Sequence, residues 1–292
     1  NNWIKELNSF LTINEELPTY TTPKGRVKKR SSLIGTFSSQ KDSTTGIIDI
    51  AMITSLGRED NINELVRNYG MVIVDECHHA AAVTHENVLR AVTARYVYGM
   101  SATINRGDKQ DKKMFMQLGP IRHRYTAKER AQKQGIGHYI YPRFTRLVDL
   151  NQSEDKNPSD YYRLIMQSEL RNMQIVSDVI DCVKRGRTPV VMTKYKEHAQ
   201  KLYDMLQGVA DHVFLLQGGK SLKERAAIRE QMAAVRADES LVLVAIGQYV
   251  GEGFNYPRLD TMLLAMPISF EGNVEQHAGR LNRDYEGKKD AI

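Results

Sequence analysis

The strongest constraint on this chain is the run Met71-Val72-Ile73-Val74, followed at once by Asp75 and Glu76. Four apolar residues in a row, three of them β-branched, predict a buried strand of a parallel sheet. The two carboxylates stand where that strand leaves the sheet. Open α/β sheets bind ligands outside the carboxyl ends of their strands. One carboxylate there suits magnesium, which keeps most of its waters and takes one or two protein oxygens. The second is then free to orient or deprotonate a water. Cys77, His78 and His79 invite a zinc reading, but zinc needs a second ligand pair, and Cys182 has no Cys or His close by. The plainest alternative is an acidic surface turn after a core strand.

A length of 292 residues has room for two domains of ordinary size, and 41% apolar with 26% charged residues is the composition of a folded globular chain. No apolar run reaches the length of a membrane span, and no signal peptide is visible. The chain opens on Asn1 without methionine, which leads us to expect a piece of a longer protein. Two cysteines predict a reducing compartment without a disulfide framework, hence the cytoplasm. The net charge of +6 is uneven. Residues 1–150 carry 22 basic against 15 acidic residues, whereas 151–292 carry 19 against 20. A basic first half suits a polyanion partner.

The pattern along the chain is an alternation of strands and helices. Trp3 to Ile13 has helical apolar spacing. Thr19 to Arg30 reads as a loop with five cations in seven positions: Lys24, Arg26, Lys28, Lys29 and Arg30. Strands are expected at 47–53, 71–74 and 96–100, with helices at 61–67, 86–92 and 108–116. A further strand is expected after Ile121. The polar stretch 151–160 sets the expected boundary, giving domains 1–150 and 151–292. The second domain predicts one long helix over 161–185. After it come strands at 189–192, 213–216, 241–245 and 261–265, separated by helices at 197–206 and 222–235 and closed by one at 274–282. The fold expected is α/β, with mostly parallel, doubly wound sheets.

Gly218-Gly219-Lys220-Ser221 is not a P-loop, because the first glycine of that motif would fall on Phe214 inside a strand. The richest segment is Gln276-His277-Ala278-Gly279-Arg280-Leu281-Asn282-Arg283. At about 100° per residue, positions 276, 280 and 283 share one helix face. Two guanidiniums on one face suit a γ-phosphate during transfer. Gly279 would let another surface come close. The alternative is a basic surface helix.

Together these segments resemble superfamily II helicases and translocases, nearest to the restriction-type and DECH-box group. Asp75-Glu76-Cys77-His78 resembles motif II, and Gln276 to Arg283 resembles motif VI. Gly251-Glu252-Gly253-Phe254-Asn255 resembles motif V, and Ser101-Ala102-Thr103 resembles motif III. Thr54-Ser55-Leu56 is similar to motif Ib, Thr193-Lys194 to motif IV, and Gly219 lies where the family has a further nucleic-acid-contacting turn. The order is the family's and covers nearly the whole chain.

The resemblance implies two RecA-like lobes that bind ATP between them and DNA or RNA across their tops, with DNA the first expectation. It implies Asp75 as magnesium ligand, Glu76 as the residue orienting water, and Arg280, Arg283 and Gln276 at the γ-phosphate. Gly251, Glu252, Gly253 and Asn255 would lie at the nucleotide. Thr54, Ser55, Ser101, Thr103, Thr193 and Gly219 would grip nucleic acid and couple it to hydrolysis. Asn255 stands where members usually carry Asp, and Ile246 where they often carry Thr. Motifs Q, I and Ia are not in the sequence, so the first lobe is expected to be incomplete and this piece to be without ATPase activity alone. The expectation is thus an ATP-dependent helicase or translocase as the parent protein. The alternatives are a non-catalytic nucleic-acid-binding module and the motor of a restriction nuclease with a nuclease domain or subunit. No membrane partner is expected.

Overall fold

The structure is a computed structural model that describes residues 2–58, 61–101, 111–126, 129, 133, 135–145, 157–219, 221–247, 254–268 and 271–292. It divides into two compact units, Asn1–Arg122 and His123–Ile292. The sequence places the boundary after 150, within a stretch outside the described residues. Strand pairing groups Gly137–His138 with Asp290–Ala291 of the second unit.

The first unit opens with helix α1 (Asn2–Phe10). The basic stretch expected to be a loop is a hairpin of β1 (Thr19–Thr21) and β2 (Val27–Lys29), antiparallel with Tyr20 opposite Lys28. The threonines and Val27 favour extended backbone, and Pro23, Lys24 and Gly25 supply the turn. A strand that apolar patterning did not reveal, β3 (Ile34–Ser38), pairs antiparallel with β4 (Lys41–Asp42) and parallel with β5 (Ile48–Ala51). Then come the one-turn helix α2 (Ile53–Leu56), a short hairpin of β6 (Gly57–Arg58) and β7 (Asn61–Ile62), and a 3₁₀ turn at Glu64–Arg67. Strand β8 (Met71–Val74) leads into a 3₁₀ turn at Cys77–Ala81, helix α3 (Val83–Ala91), strand β9 (Tyr96–Gly99) and helix α4 (Asp111–Leu118). No strand follows Ile121 directly: residues 122–126 form none, and the next described strand begins at Gly137.

β8 is parallel to β9, as expected, but it is not buried on both faces. Met71 and Ile73 are about half exposed, and so are their partners Tyr96 and Tyr98. Alternation turns Val72 and Val74 the other way, where Val74 packs on a small core of Cys77, Ala80 and Met114. Among the described residues β8 and β9 form a sheet of their own.

In the second unit, β10 (Gly137–His138) precedes helices α5 (Pro158–Gln167) and α6 (Glu169–Lys184). The single helix expected over 161–185 is broken at Ser168, whose ψ of 102° is extended. Asn172 donates its side-chain N–H to the Met166 carbonyl at the break. α5 starts on a capping box of Asn157 and Asp160, with Pro158 in the first turn.

The sheet that follows is β12–β13–β11–β14, all parallel: β11 (Pro189–Thr193), β12 (His212–Leu216), β13 (Leu241–Ile246) and β14 (Thr261–Leu264). Its crossovers include α7 (Lys196–Met205) and α8 (Leu222–Ala234), and α9 (Glu271–Leu281) with β15 (Asp290–Ala291) completes the unit. Both faces are covered. Val190, Met192, Leu241, Leu243 and Ala245 pack with Met232 and Leu281, whereas Val191, Val242, Val244 and Ile246 pack with Ile175, Val179 and Leu202. Alternate side chains thus serve two separate cores, which is why these strands read as unbroken apolar runs.

Candidate nucleotide and nucleic-acid site

Asp75 and Glu76 leave β8 at its carboxyl end. Glu76 has a φ of 47°, and it is the only non-glycine with positive φ among the described residues. A left-handed glutamate costs on the order of 1 kcal/mol or more. The turn aims the two carboxylates differently. Asp75 is exposed, accepting the Glu76 backbone N–H on Oδ1 (2.9 Å) and the Trp3 indole N–H on Oδ2 (3.0 Å). Glu76 turns to His78, with Oε2 3.3 Å from Nδ1, and the same Nδ1 lies 2.9 Å from the Ser101 hydroxyl. A chain Glu76–His78–Ser101 therefore links the end of β8 to the segment after β9. The Cys77 N–H donates to the Met100 carbonyl and the Met100 N–H to Val74, so backbone fastens the same two segments. Gly99 is required there, since a Cβ would come within 2.8 Å of both Cys77 Sγ and Leu118 Cδ1.

An exposed carboxylate at a strand end, with a second beside it, fits the one or two protein oxygens magnesium takes. Zinc finds no support: no group of three His, Cys, Asp or Glu residues is placed to hold a metal among the described residues.

Thr54 and Ser55 line an open groove of about 1060 Å³ in the first unit, together with Ser39, Asn61, Asn63 and Thr84. Ser55 Oγ accepts the Ser39 N–H at 3.2 Å. Hydroxyls and amides of this kind suit a sugar–phosphate backbone. Sequence reasoning singled out Thr54 and Ser55 but not Ser39, Asn61 and Asn63, because β3 and the β6–β7 hairpin that bring them there have no apolar period, nor Thr84 in the first turn of α3.

In the second unit, Thr193 is buried, 5% exposed, and its hydroxyl lies 2.8 Å from His198 Nδ1. His198 Nε2 lies 3.0 Å from Asn172 Oδ1. An amide oxygen only accepts, so Nε2 carries the proton and Nδ1 accepts from Thr193. Burial, with the nearby cations Arg171 and Lys201, pushes His198 down to about 4, and the imidazole is neutral at pH 7. The hydroxyl expected to face nucleic acid is thus turned into the unit. Lys194 is the exposed member of that pair, its ammonium 4.4 Å from the Tyr162 ring centroid. Gly219 lies in the turn after β12, and Ser221 is the N-cap of α8, its hydroxyl accepting from Glu224 N. That serine serves a helix end, as the rejection of a P-loop requires.

Helix α9 carries Gln276 and Arg280 four residues apart, one above the other. It ends at Leu281, so Arg283 lies beyond it and the shared-face expectation holds for two residues of the three. The Gln276 side chain lies outside the described residues. A Cβ at Gly279 would meet nothing within 4 Å, so no surface of the described residues approaches it. Arg280 Nη1 donates to the Phe254 carbonyl (3.2 Å), which joins the expected motif VI to the segment beside Asn255. Burial and the adjacent Arg280 hold His277 below its ordinary range. Lys288, which sequence reasoning missed, donates to the carbonyls of Pro257 (2.6 Å), Leu281 (2.8 Å) and Arg283 (3.1 Å). Two of its N–H groups so close the C-terminal end of α9, and the third ties that end to the segment before β14. Burial pushes this ammonium down to about 8. Thr103, Gly251, Glu252 and Gly253 lie outside the described residues.

The family described as "Type III restriction enzyme, res subunit" matches residues 3–106. Helicase D10 of Escherichia phage T5, named as a probable helicase, is 27% identical over 243 residues, covering 79% of this chain and 49% of its own length. The chain is similar to superfamily II helicases, and over residues 3–106 to the restriction-type group. The ATP-dependent DNA helicase uvsW of Enterobacteria phage T4 is 20% identical over 229 residues, covering 77% of this chain and 45% of its own. Among solved structures, a fragment from Vibrio vulnificus YJ016 described as an HsdR subunit of a type I restriction enzyme superposes with a TM-score of 0.59 at 17% identity, over 90% of this chain and 50% of that one. S. cerevisiae Dbp5 bound to RNA and ADP BeF3 gives 0.51 at 13%, over 91% and 64%. The fold is therefore RecA-like. The chain spans about half the length of the curated relatives it matches. Among the described residues no helix is long and apolar enough to cross a membrane.

Proposed function

We propose that the protein carrying this chain is an ATP-dependent helicase or translocase that uses magnesium and acts on nucleic acid, DNA before RNA. The observation that carries the reading is the Glu76–His78–Ser101 chain in the first unit. It ties a residue suited to orient water to a segment suited to grip a strand.

Asp75 would hold magnesium through water, and the ion would supply charge neutralisation at the phosphates. Glu76 would orient the attacking water and take its proton as the oxygen–phosphorus bond forms. The bond to the bridging oxygen breaks, and ADP and phosphate leave. Arg280 and Arg283 would meet charge on the transferring group, with Gln276 positioning it. An arginine in this role is worth roughly 10³–10⁵ in rate. Gly251, Glu252, Gly253 and Asn255 would border the nucleotide. Thr54, Ser55, Ser101, Thr103 and Gly219 would contact the strand, and Thr193 would act by placing Lys194. The match of residues 3–106 to the restriction family supports DNA as the polymer and a nuclease domain or subunit as companion.

The test is ATP hydrolysis by the whole protein without polymer, then with single-stranded DNA, duplex DNA and single-stranded RNA. The reading expects magnesium-dependent hydrolysis, stimulated most by DNA. Hydrolysis indifferent to every polymer would overturn it.

A further inference from the structure

The hairpin β1–β2 is exposed on both strands and on both faces. A lone two-stranded hairpin is marginal in water, and this one has no apolar face to bury. It carries no acidic residue between Pro18 and Ser31, against five cations. None of the five pairs with a carboxylate within 4 Å among the described residues. Asp42 lies within electrostatic reach of Arg30, but its carboxyl is held low chiefly by the Thr44 N–H.

The register orders this charge. Tyr20 stands opposite Lys28, and the Arg30 N–H bonds the Pro18 carbonyl. By alternation, Arg26, Lys28 and Arg30 share one face with Tyr20, at a spacing of about 6.8 Å between successive cations. The Arg30 guanidinium lies 4.2 Å from the Tyr20 ring centroid on that face. The turn is fixed by its own bonds: Arg26 N–H donates to Thr22 Oγ1 (3.0 Å), Thr22 N–H to the Arg26 carbonyl (2.8 Å), and Gly25 takes a φ of 74°. Like charges in a row on a thin hairpin repel one another. A polyanion laid along the face removes that repulsion, and an aromatic ring among cations is the makeup of nucleic-acid grooves.

We infer that the face of Arg26, Lys28, Arg30 and Tyr20 is a second contact for nucleic-acid phosphates, separate from the groove of Thr54 and Ser55. The inference rests on the proposed action on nucleic acid.

Binding of fluorescent duplex and single-stranded DNA by the full chain, measured by anisotropy from 50 to 200 mM salt, tests it without ATP. The variants are R26Q/K28Q/R30Q and, as a control of equal charge loss, K5Q/K184Q/R185Q, each checked by thermal unfolding. Three phosphate contacts contribute about 2.7 to the log–log salt slope with duplex and about 2.1 with a single strand. Across that fourfold salt range the hairpin variant should lose about 40-fold less affinity than the unmodified chain with duplex. With a single strand the difference should be about 20-fold. The probe that shows the change identifies which form the hairpin holds, and the control variant should keep the original slope. A hairpin variant with the unmodified slope, or a control that matches it, overturns the inference and leaves the motor reading standing. A chain that binds neither probe at 50 mM salt overturns both.

Discussion

His198 offers a quantitative test of the second unit's interior. It is 1% exposed and held between Thr193 and Asn172. Its folded pKa is about 4, against roughly 6.5 in an unfolded chain. Between those values the unfolded chain binds a proton that the folded chain refuses. Stability therefore rises with pH through this window. The contribution is complete above about 6.5 and is lost as pH falls towards 4. Going from pH 7 to pH 5, this one group should remove about 2 kcal/mol. His198→Gln eliminates the titration while keeping a donor and an acceptor. Urea unfolding followed by far-UV circular dichroism at both pH values gives the double difference, in which other titrating groups cancel. The unmodified chain should lose about 2 kcal/mol more than the variant, with equal denaturant slopes. Equal pH losses in the two proteins would refute the buried neutral imidazole.

Two other expectations are simpler. Lys288→Met removes three donors from the carbonyls of Pro257, Leu281 and Arg283, and should cost about 2 kcal/mol at pH 7, read as a lowered urea midpoint. Gly99→Ala puts a methyl group against Cys77 and Leu118. It should cost about 1–3 kcal/mol and lower the melting temperature by several degrees.

The second unit was more legible than the first, for a physical reason. β11 and β13 are buried at every position, so composition alone marks them. β3 owes its place to pairing with β4 and β5, and nothing local in Gly35, Thr36 or Ser38 announces it. β8 was found by its apolar run, yet Met71 and Ile73 stand half exposed, because burial is a property of neighbours and not of the strand. The break at Ser168 was invisible for a similar reason: apolar periodicity runs through it, and Asn172 satisfies the carbonyl only after folding. In the candidate site, Asp75, Glu76 and Arg280 were singled out as candidates because the chemistry proposed for them is written in residue type and spacing. Lys288 was not, since a lysine that closes a helix end from seven residues away looks like any surface lysine. The Thr193–His198–Asn172 chain joins residues up to 26 apart, and only the fold brings them together.

The central claim is that Glu76 orients water for ATP hydrolysis and reports to the strand-gripping segment through His78 and Ser101. The most direct test is single-turnover hydrolysis of ATP by the whole protein on saturating DNA, comparing the unmodified protein with Glu76→Gln while monitoring nucleotide and DNA binding. The account predicts that Glu76→Gln binds both ligands with unchanged affinity and hydrolyses at least about 100-fold more slowly, the scale of losing a positioned general base. A variant that hydrolyses ATP at the unmodified rate would contradict it.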